Sequence, residues 1–140
     1  NYLADHRYTA DNMWTSASAD QLLPGIHRIL DTLPPHPAHF LWLAWGPSPT
    51  RQDMAYSLED EVYLALYAGW KNAGDDEKYS DWPRARMAEM APLASGIQLA
   101  DENLGARPAK FATDANMVRL DGIRAEYDPD SRFYPWMGRV

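Results

Sequence analysis

From Leu22 to Leu33 the apolar residues Leu22, Leu23, Ile26, Ile29, Leu30 and Leu33 return at intervals of three and four, the period of one helix face. Ser18 stands ahead of them as an N-cap, and the run PPHP at 34–37 ends the element. Pro24 and Gly25 oppose a continuous helix, because one lacks an amide donor and the other costs backbone entropy. Before this helix, residues 12–17 (NMWTSA) alternate loosely and predict a short strand. After it, residues 39–46 (HFLWLAWG) are continuously apolar, which predicts a strand buried on both faces. Phe40, Trp42 and Ala44 would point to one side of it, and Leu41, Leu43 and Trp45 to the other.

Residues 60–70 (DEVYLALYAGW) predict another strand, although Leu64, Ala65 and Leu66 would also tolerate a helix. Tyr63 and Tyr67, four residues apart, would then share one face. A polar loop at 72–80 leads to a predicted helix at 81–94, with Asp81 as cap and Pro83 in the first turn. Residues 96–100 (GIQLA) predict a further strand. Phe111, Met117, Leu120, Ile123 and Tyr127 mark a last helix ending at Asp128, where Pro129 disfavours helical geometry in the residue before it. The order is strand, helix, strand, strand, helix, strand, helix. It predicts an α+β domain, a largely antiparallel sheet with helices packed on one face.

A chain of 140 residues is the size of one domain and can bury roughly two thirds of its unfolded surface. Its hydrophobic fraction of 46% with six Trp and eight Tyr excludes a disordered composition. The net charge of −7, with basic residues scattered, argues against nucleic acid as a partner. No cysteine is present, so disulfides, thiolate metal sites and a cysteine nucleophile are excluded. No run reaches the roughly 18 apolar residues of a membrane helix, and no signal peptide is legible; no membrane partner and a cytoplasmic location are the expectations. The chain begins with Asn rather than Met, so an engineered piece, a processed product or a fragment of its native polypeptide is expected.

Self-contained catalytic motifs are missing. His6, His27, His36 and His39 lack the spacing of a helical metal pair. Neither a nucleophile elbow nor a glycine-rich phosphate loop occurs. What remains is an aromatic sheet. Trp14, Trp42, Tyr63 and Tyr67 could line a pocket for a planar ligand, with tyrosine hydroxyls available as acid or base. The competing reading makes the same rings core, and periodicity alone favours it.

The C-terminal stretch NMVRLDGIRAEYDPDSRF (116–133) carries a resemblance. Asn116, Arg119, Leu120, Ile123, Tyr127, Asp128, Pro129 and Phe133 match, without a gap, the closing helix of the berberine-bridge-enzyme-like FAD-linked oxidases, a branch of the vanillyl-alcohol-oxidase superfamily. Arg124 stands for that family's usual Lys. Upstream, residues 79–104 resemble the family's helix leading into a Tyr-x-Asn strand, and residues 54–70 resemble the segment running from Thr-Ala-Phe-x-His-Arg to a Trp. There are departures. Gly96-Ile97-Gln98 stands where the family has Tyr-x-Asn, Leu58-Glu59 where it has His-Arg, and Met54 where it has Thr.

The resemblance implies a substrate cap at 1–105 and a C-terminal tail at 106–140 of an FAD-dependent oxidase acting on an alcohol or amine carbon. FAD would be held mainly by an FAD-binding domain outside this chain, and the chain alone would be inactive. A tyrosine base cannot be carried over. Tyr63 and Tyr67 are left as weak catalytic candidates, Trp42, Tyr63 and Tyr67 as substrate-binding residues, and Gln98 as a cofactor contact through its amide. Asn116, Arg119 and Tyr127 would hold the final helix. A docking patch is expected near Phe133, Tyr134, Trp136 and Met137, and a homodimer through that patch or the sheet is compatible. The alternative is a degenerate, non-catalytic module for small-molecule binding or oligomerisation.

Overall fold

A computed structural model describes residues 4–47, 50, 58–99 and 106–133. Three strands, β1 (Arg7–Thr15), β2 (His39–Ala44) and β3 (Val62–Trp70), form an antiparallel sheet in the order β1-β3-β2. Four helices accompany it: α1 (Ala19–Asp31), α2 (Asp76–Tyr79), α3 (Trp82–Met90) and α4 (Asp114–Tyr127). The α+β expectation is met, and α1 and α3 pack on one face of the sheet.

β3 is the middle strand. It pairs with β1 over nine positions, from Arg7↔Trp70 to Thr15↔Val62, and with β2 over six, from His39↔Tyr67 to Ala44↔Val62. Alternation sends Leu64, Leu66, Ala68 and Trp70 toward the helices, where they join Met13, Leu22, Ile26, Ile29, Met87 and Met90 in the main core. Tyr63, Ala65 and Tyr67 face the other way, with Ala10 and Trp14. Residues 60–70 therefore form a strand, because burial on two faces needs apolar residues at both parities.

α1 holds its course through Pro24 and Gly25. Ser18 and Gln21 form a reciprocal capping box at its start. A β-carbon on Gly25 would lie 2.9 Å from the Met90 side chain, so this glycine lets α3 approach. The Trp82 indole N–H donates to Thr32 Oγ1 at 3.1 Å and ties α3 to the end of α1. Asp81, predicted to cap α3, instead directs its carboxylate to Arg84. That guanidinium, by its hydrogen bond, holds the Asp81 carboxyl below its usual range. The predicted loop at 72–80 contains a 3-10 turn and α2, anchored by the Trp70 indole N–H on Asp76 at 2.6 Å.

Two strand expectations need correction. Residues 39–46 are not buried on both faces: β2 is the outer strand, and Trp42, Leu43 and Trp45 are 39%, 37% and 50% exposed. Its apolar composition reads as interior, yet among the described residues no strand pairs with its outer edge. Residues 96–100 do not form a regular strand within the described part. Gly96 makes a single bridge to Trp14, its carbonyl accepting the Trp14 N–H at 2.7 Å while Ser95 N–H donates back at 2.9 Å. The ladder then stops because the Asn12 side chain takes its place. That amide accepts from Gln98 N–H at 2.8 Å and donates to Gln98 C=O at 3.1 Å, while Ile97 N–H turns to Lys110 C=O.

The last helix starts later than its apolar residues suggest, at Asp114, capped by the Thr113 hydroxyl. Met117 packs with Ile97, Phe111 and Ala112 in a small core of its own, flanked by Leu120. Ile123 and Tyr127 are not part of it: Tyr127 is 75% exposed, so its ring does not hold the helix. Asp128 ends α4 as expected, and its buried carboxylate accepts the N–H groups of Arg132 (2.6 Å) and Phe133 (3.1 Å). The Tyr-Asp-Pro sequence thus folds into a turn around one aspartate. Phe133 is 72% exposed, and the other residues of the expected docking patch, Tyr134, Trp136 and Met137, lie outside the described residues.

Gly96 sits where the Leu58 side chain and the Lys110 carbonyl converge. A β-carbon there would run into both, and a backbone oxygen cannot swing aside as a side chain can. Gly96→Ala is expected to destabilise the chain by about 2–3 kcal/mol, read as a lower urea midpoint at unchanged slope. An unchanged midpoint would show that this junction is loosely packed.

Candidate functional site

The sheet face away from the helices carries two groups of rings. At one end the His39 and Tyr67 rings stack at 4.7 Å and 15°, and Tyr8 lies 6.2 Å from Tyr67 on the other side. This makes a row across all three strands. His39 is oriented by its Nδ1–H, which donates to the Pro37 carbonyl at 3.0 Å. At the other end Trp14 lies 4.8 Å from Tyr63 and meets Trp45 edge-on at 5.5 Å. Between the two groups the cross-strand row is Asn12, Ala65 and Leu41. Ala65 between the two tyrosines is 1% exposed and Asn12 is fully buried, so the middle of this face is covered and not an open floor.

Of the residues expected to form a site, Tyr63 and Tyr67 share this face, as their spacing requires. Both are buried, at 5% and 7% exposure, so they serve the core as well as any ligand. Gln98 lies along the β1 edge, next to the same face, but its backbone N–H and C=O are both engaged by Asn12. Trp42 is not with them. It pairs with Leu64 in the register, and so projects on the helix side. Trp42 and the two tyrosines cannot line one pocket on one face of the sheet.

Residues that the sequence reading passed over are Asn12, His39 and Trp45. Asn12 in a strand has no chemical signature, since its function as a side-chain rung depends on a segment more than eighty residues away. The Trp14 indole N–H is 1% exposed and has no acceptor among the described residues. A buried donor in that condition costs about 1–3 kcal/mol, and the aromatic face carries it beside Tyr63.

Beside the outer edge of β1, a polar cleft of about 360 Å3 is bordered by Asp11, Ser80, Asp81 and Arg84. Its charges are matched. Arg107 binds Asp11 through two bonds of 2.6 Å and also donates to the Asn12 carbonyl at 2.6 Å. Asp81 is matched by Arg84. Paired in this way, neither carboxylate is poised as a general base. A more apolar groove of about 510 Å3 runs along α4, by Phe111, Met117 and Val118. Neither contains Trp42, Tyr63, Tyr67 or Gln98. No cluster of three or more His, Asp or Glu able to hold a metal occurs among the described residues.

The fit to FAD can be judged at the helix starts, where diphosphates are commonly held. α1 carries Asp20 in its first turn and a closed capping box, and α4 carries Asp114. Negative charge at these N-termini opposes a phosphate. The starts of α1 and α4 therefore do not suit a diphosphate.

The Asp11–Arg107 pair joins β1 to the segment that leads into α4, with both side chains nearly buried at 8% and 12% exposure. Removing one partner strands a buried charge, so Arg107→Met is expected to cost about 3–5 kcal/mol. The double variant Asp11→Leu with Arg107→Met is expected to recover part of that loss in the same chemical denaturation measurement. A double variant as unstable as the sum of the two singles would show that the ions do not act as a pair.

No family model matches the chain. Among curated proteins it is 27% identical over 130 residues to the FAD-linked oxidoreductase ptmO of Penicillium ochrochloron, and 25% identical over 130 residues to the FAD-linked oxidoreductase penO of Penicillium crustosum. Each alignment covers 91% of this chain. The FAD-linked oxidoreductase nodO of Hypoxylon pulicicidum aligns over 93 residues at 27% identity, 63% of this chain. The chain spans about 29% of the length of the two Penicillium relatives and 21% of the third. No helix among the described residues is long and apolar enough to cross a membrane. By sequence, then, this chain is similar to one part of proteins named as FAD-linked oxidoreductases.

Proposed function

We propose that this chain is the substrate-binding cap and C-terminal part of an FAD-dependent oxidoreductase of the berberine-bridge-enzyme-like type, acting on an alcohol or amine carbon and inactive without its FAD-binding domain. The observation that carries this reading is the alignment itself: nine tenths of the chain matches less than a third of each Penicillium relative. The acidic helix starts agree with it, since the phosphates of FAD would be held by the remaining polypeptide.

FAD, when bound there, supplies the acceptor for the electrons removed from the substrate. This chain's own contribution is to bind and orient. Tyr63 and Tyr67 stiffen a largely buried aromatic layer, Trp14 has a buried N–H with no acceptor among the described residues, and Asn12 fixes the Gln98 backbone beside it. Gln98 has only its side-chain amide to offer a cofactor. Trp42, on the opposite side of β2, would reach substrate only from the helix side of the sheet. The proposed division at residue 105 is bridged by the small core around Met117, which joins Ile97 to Phe111 and Ala112.

Titration of the purified chain with FAD, followed by flavin fluorescence and tryptophan quenching, tests the reading. No saturable binding is expected. One-to-one binding would place a flavin site on this chain and overturn the assignment of FAD to a separate domain.

A further inference from the structure

Trp14, Trp70 and Trp82 are all buried, and they differ in what their indole N–H groups do. Trp70 donates to the Asp76 carboxylate at 2.6 Å, and Trp82 donates to Thr32 Oγ1 at 3.1 Å. Trp14, the most deeply buried of the three, donates to no acceptor among the described residues. Arg86 Nε and Ser95 Oγ share that condition, but each has a remedy that an indole lacks. The Arg86 guanidinium donates through its terminal nitrogens to Glu89 and Thr32, and a serine hydroxyl can turn toward nearby backbone. An indole has one donor in a fixed plane. Left unmatched and buried, that donor opposes folding, and a ligand oxygen would relieve it.

The surroundings of Trp14 say which kind of oxygen. The register sets Trp14 opposite Tyr63, and Tyr63 opposite Leu43. The next row along is Asn12, Ala65 and Leu41. The Tyr63 hydroxyl is the only ionisable group in these two rows. Trp45, of the same parity as Leu43, meets Trp14 edge-on from the same face. On the other side Trp14 bridges Gly96, and the space that a Gly96 side chain would take is filled by Leu58. One donor among rings and methyl groups selects a neutral acceptor. A carboxylate or phosphate would exchange its hydration for a single hydrogen bond.

We infer that the Trp14 indole N–H holds a neutral carbonyl or hydroxyl oxygen of an otherwise apolar substrate, and that Trp45 is the cover the substrate displaces to reach it. Trp14 is then a specificity-determining residue, an assignment that rests on the proposed function. Trp45 is suited to its part. At 50% exposure it is the most exposed ring of this group, whereas Tyr63 is held at 5% in the central strand. Gly46, which follows it, has a left-handed backbone (φ +68°), and a β-carbon there would meet nothing within 4 Å. The Trp45 main chain is anchored by its N–H on the Glu61 carbonyl at 2.7 Å. Its ring can therefore turn outward while the backbone stays paired.

Nuclear magnetic resonance of the indole N–H groups in the purified chain tests the inference, with Trp14 assigned by its proximity to the Tyr63 ring. In the chain alone its proton is expected upfield of those of Trp70 and Trp82, which have protein acceptors. Acetophenone, a planar ring with a carbonyl, should move it downfield saturably. Ethylbenzene, the same ring without an acceptor, should not. Trp14→Phe, with unchanged circular dichroism, should bind acetophenone at least about tenfold more weakly, the loss of one hydrogen bond. Where that variant does not fold, the contrast between the two probes in the unsubstituted chain decides. Trp45→Ala should bind acetophenone more tightly, and an affinity no higher would overturn its role as cover. Probes that act alike, or a Trp14 proton unmoved by acetophenone, would overturn the donor. So would a Trp14 proton already downfield and slow to exchange in the chain alone, since its acceptor would then lie within the chain. Saturable FAD binding to the chain would count against the proposed function and leave the Trp14 donor standing.

Discussion

Everything described in this chain hangs on the burial of β3 between two neighbours and two faces. Its nine residues pair with β1 along their whole length, and they feed Leu64, Leu66, Ala68 and Trp70 to one core and Tyr63, Ala65 and Tyr67 to another. A strand with its backbone satisfied on both edges and side chains packed on both faces cannot shift register. A one-residue slip would exchange the two sets and place tyrosines against the helices. The positions of β1, β2, α1 and α3 follow from that strand.

The rest of the fold is joined to this sheet by polar contacts more than by area. Asn12 lends its amide to Gln98, Arg107 reaches back to Asp11, and Gly96 permits the approach of Lys110. These three contacts lie close together along β1 and bring the segment before α4 against the sheet edge. α4 then rests on a core of four buried residues, with Val118, Ile123 and Tyr127 left in solvent.

The same logic separates the functional candidates. Tyr63 and Tyr67 combine a structural duty with a place in a ring-lined surface, and the aromatic rows tie all three strands together. This face carries rings, fixed amides and an indole donor with no acceptor among the described residues. Charged groups are neutralised in pairs at the β1 edge, away from the rings.

By itself the sequence determined the helix periods, the α+β class and the stop at Asp128, and it offered 60–70 as a strand that could also be a helix, with Tyr63 and Tyr67 on one face if a strand. These depend on local geometry, 3.6 residues per helical turn or two per strand repeat, and local geometry is written in spacing. Only the tertiary structure decided that β2 is an outer strand and that Trp42 faces away from the tyrosines. Apolar composition is the same for a central strand and an edge strand, and which face a residue joins depends on pairing with β3. The loss of a regular strand at 96–100 was equally out of reach. It turns on an asparagine side chain replacing a backbone rung across eighty-six positions, a contact that no local pattern encodes.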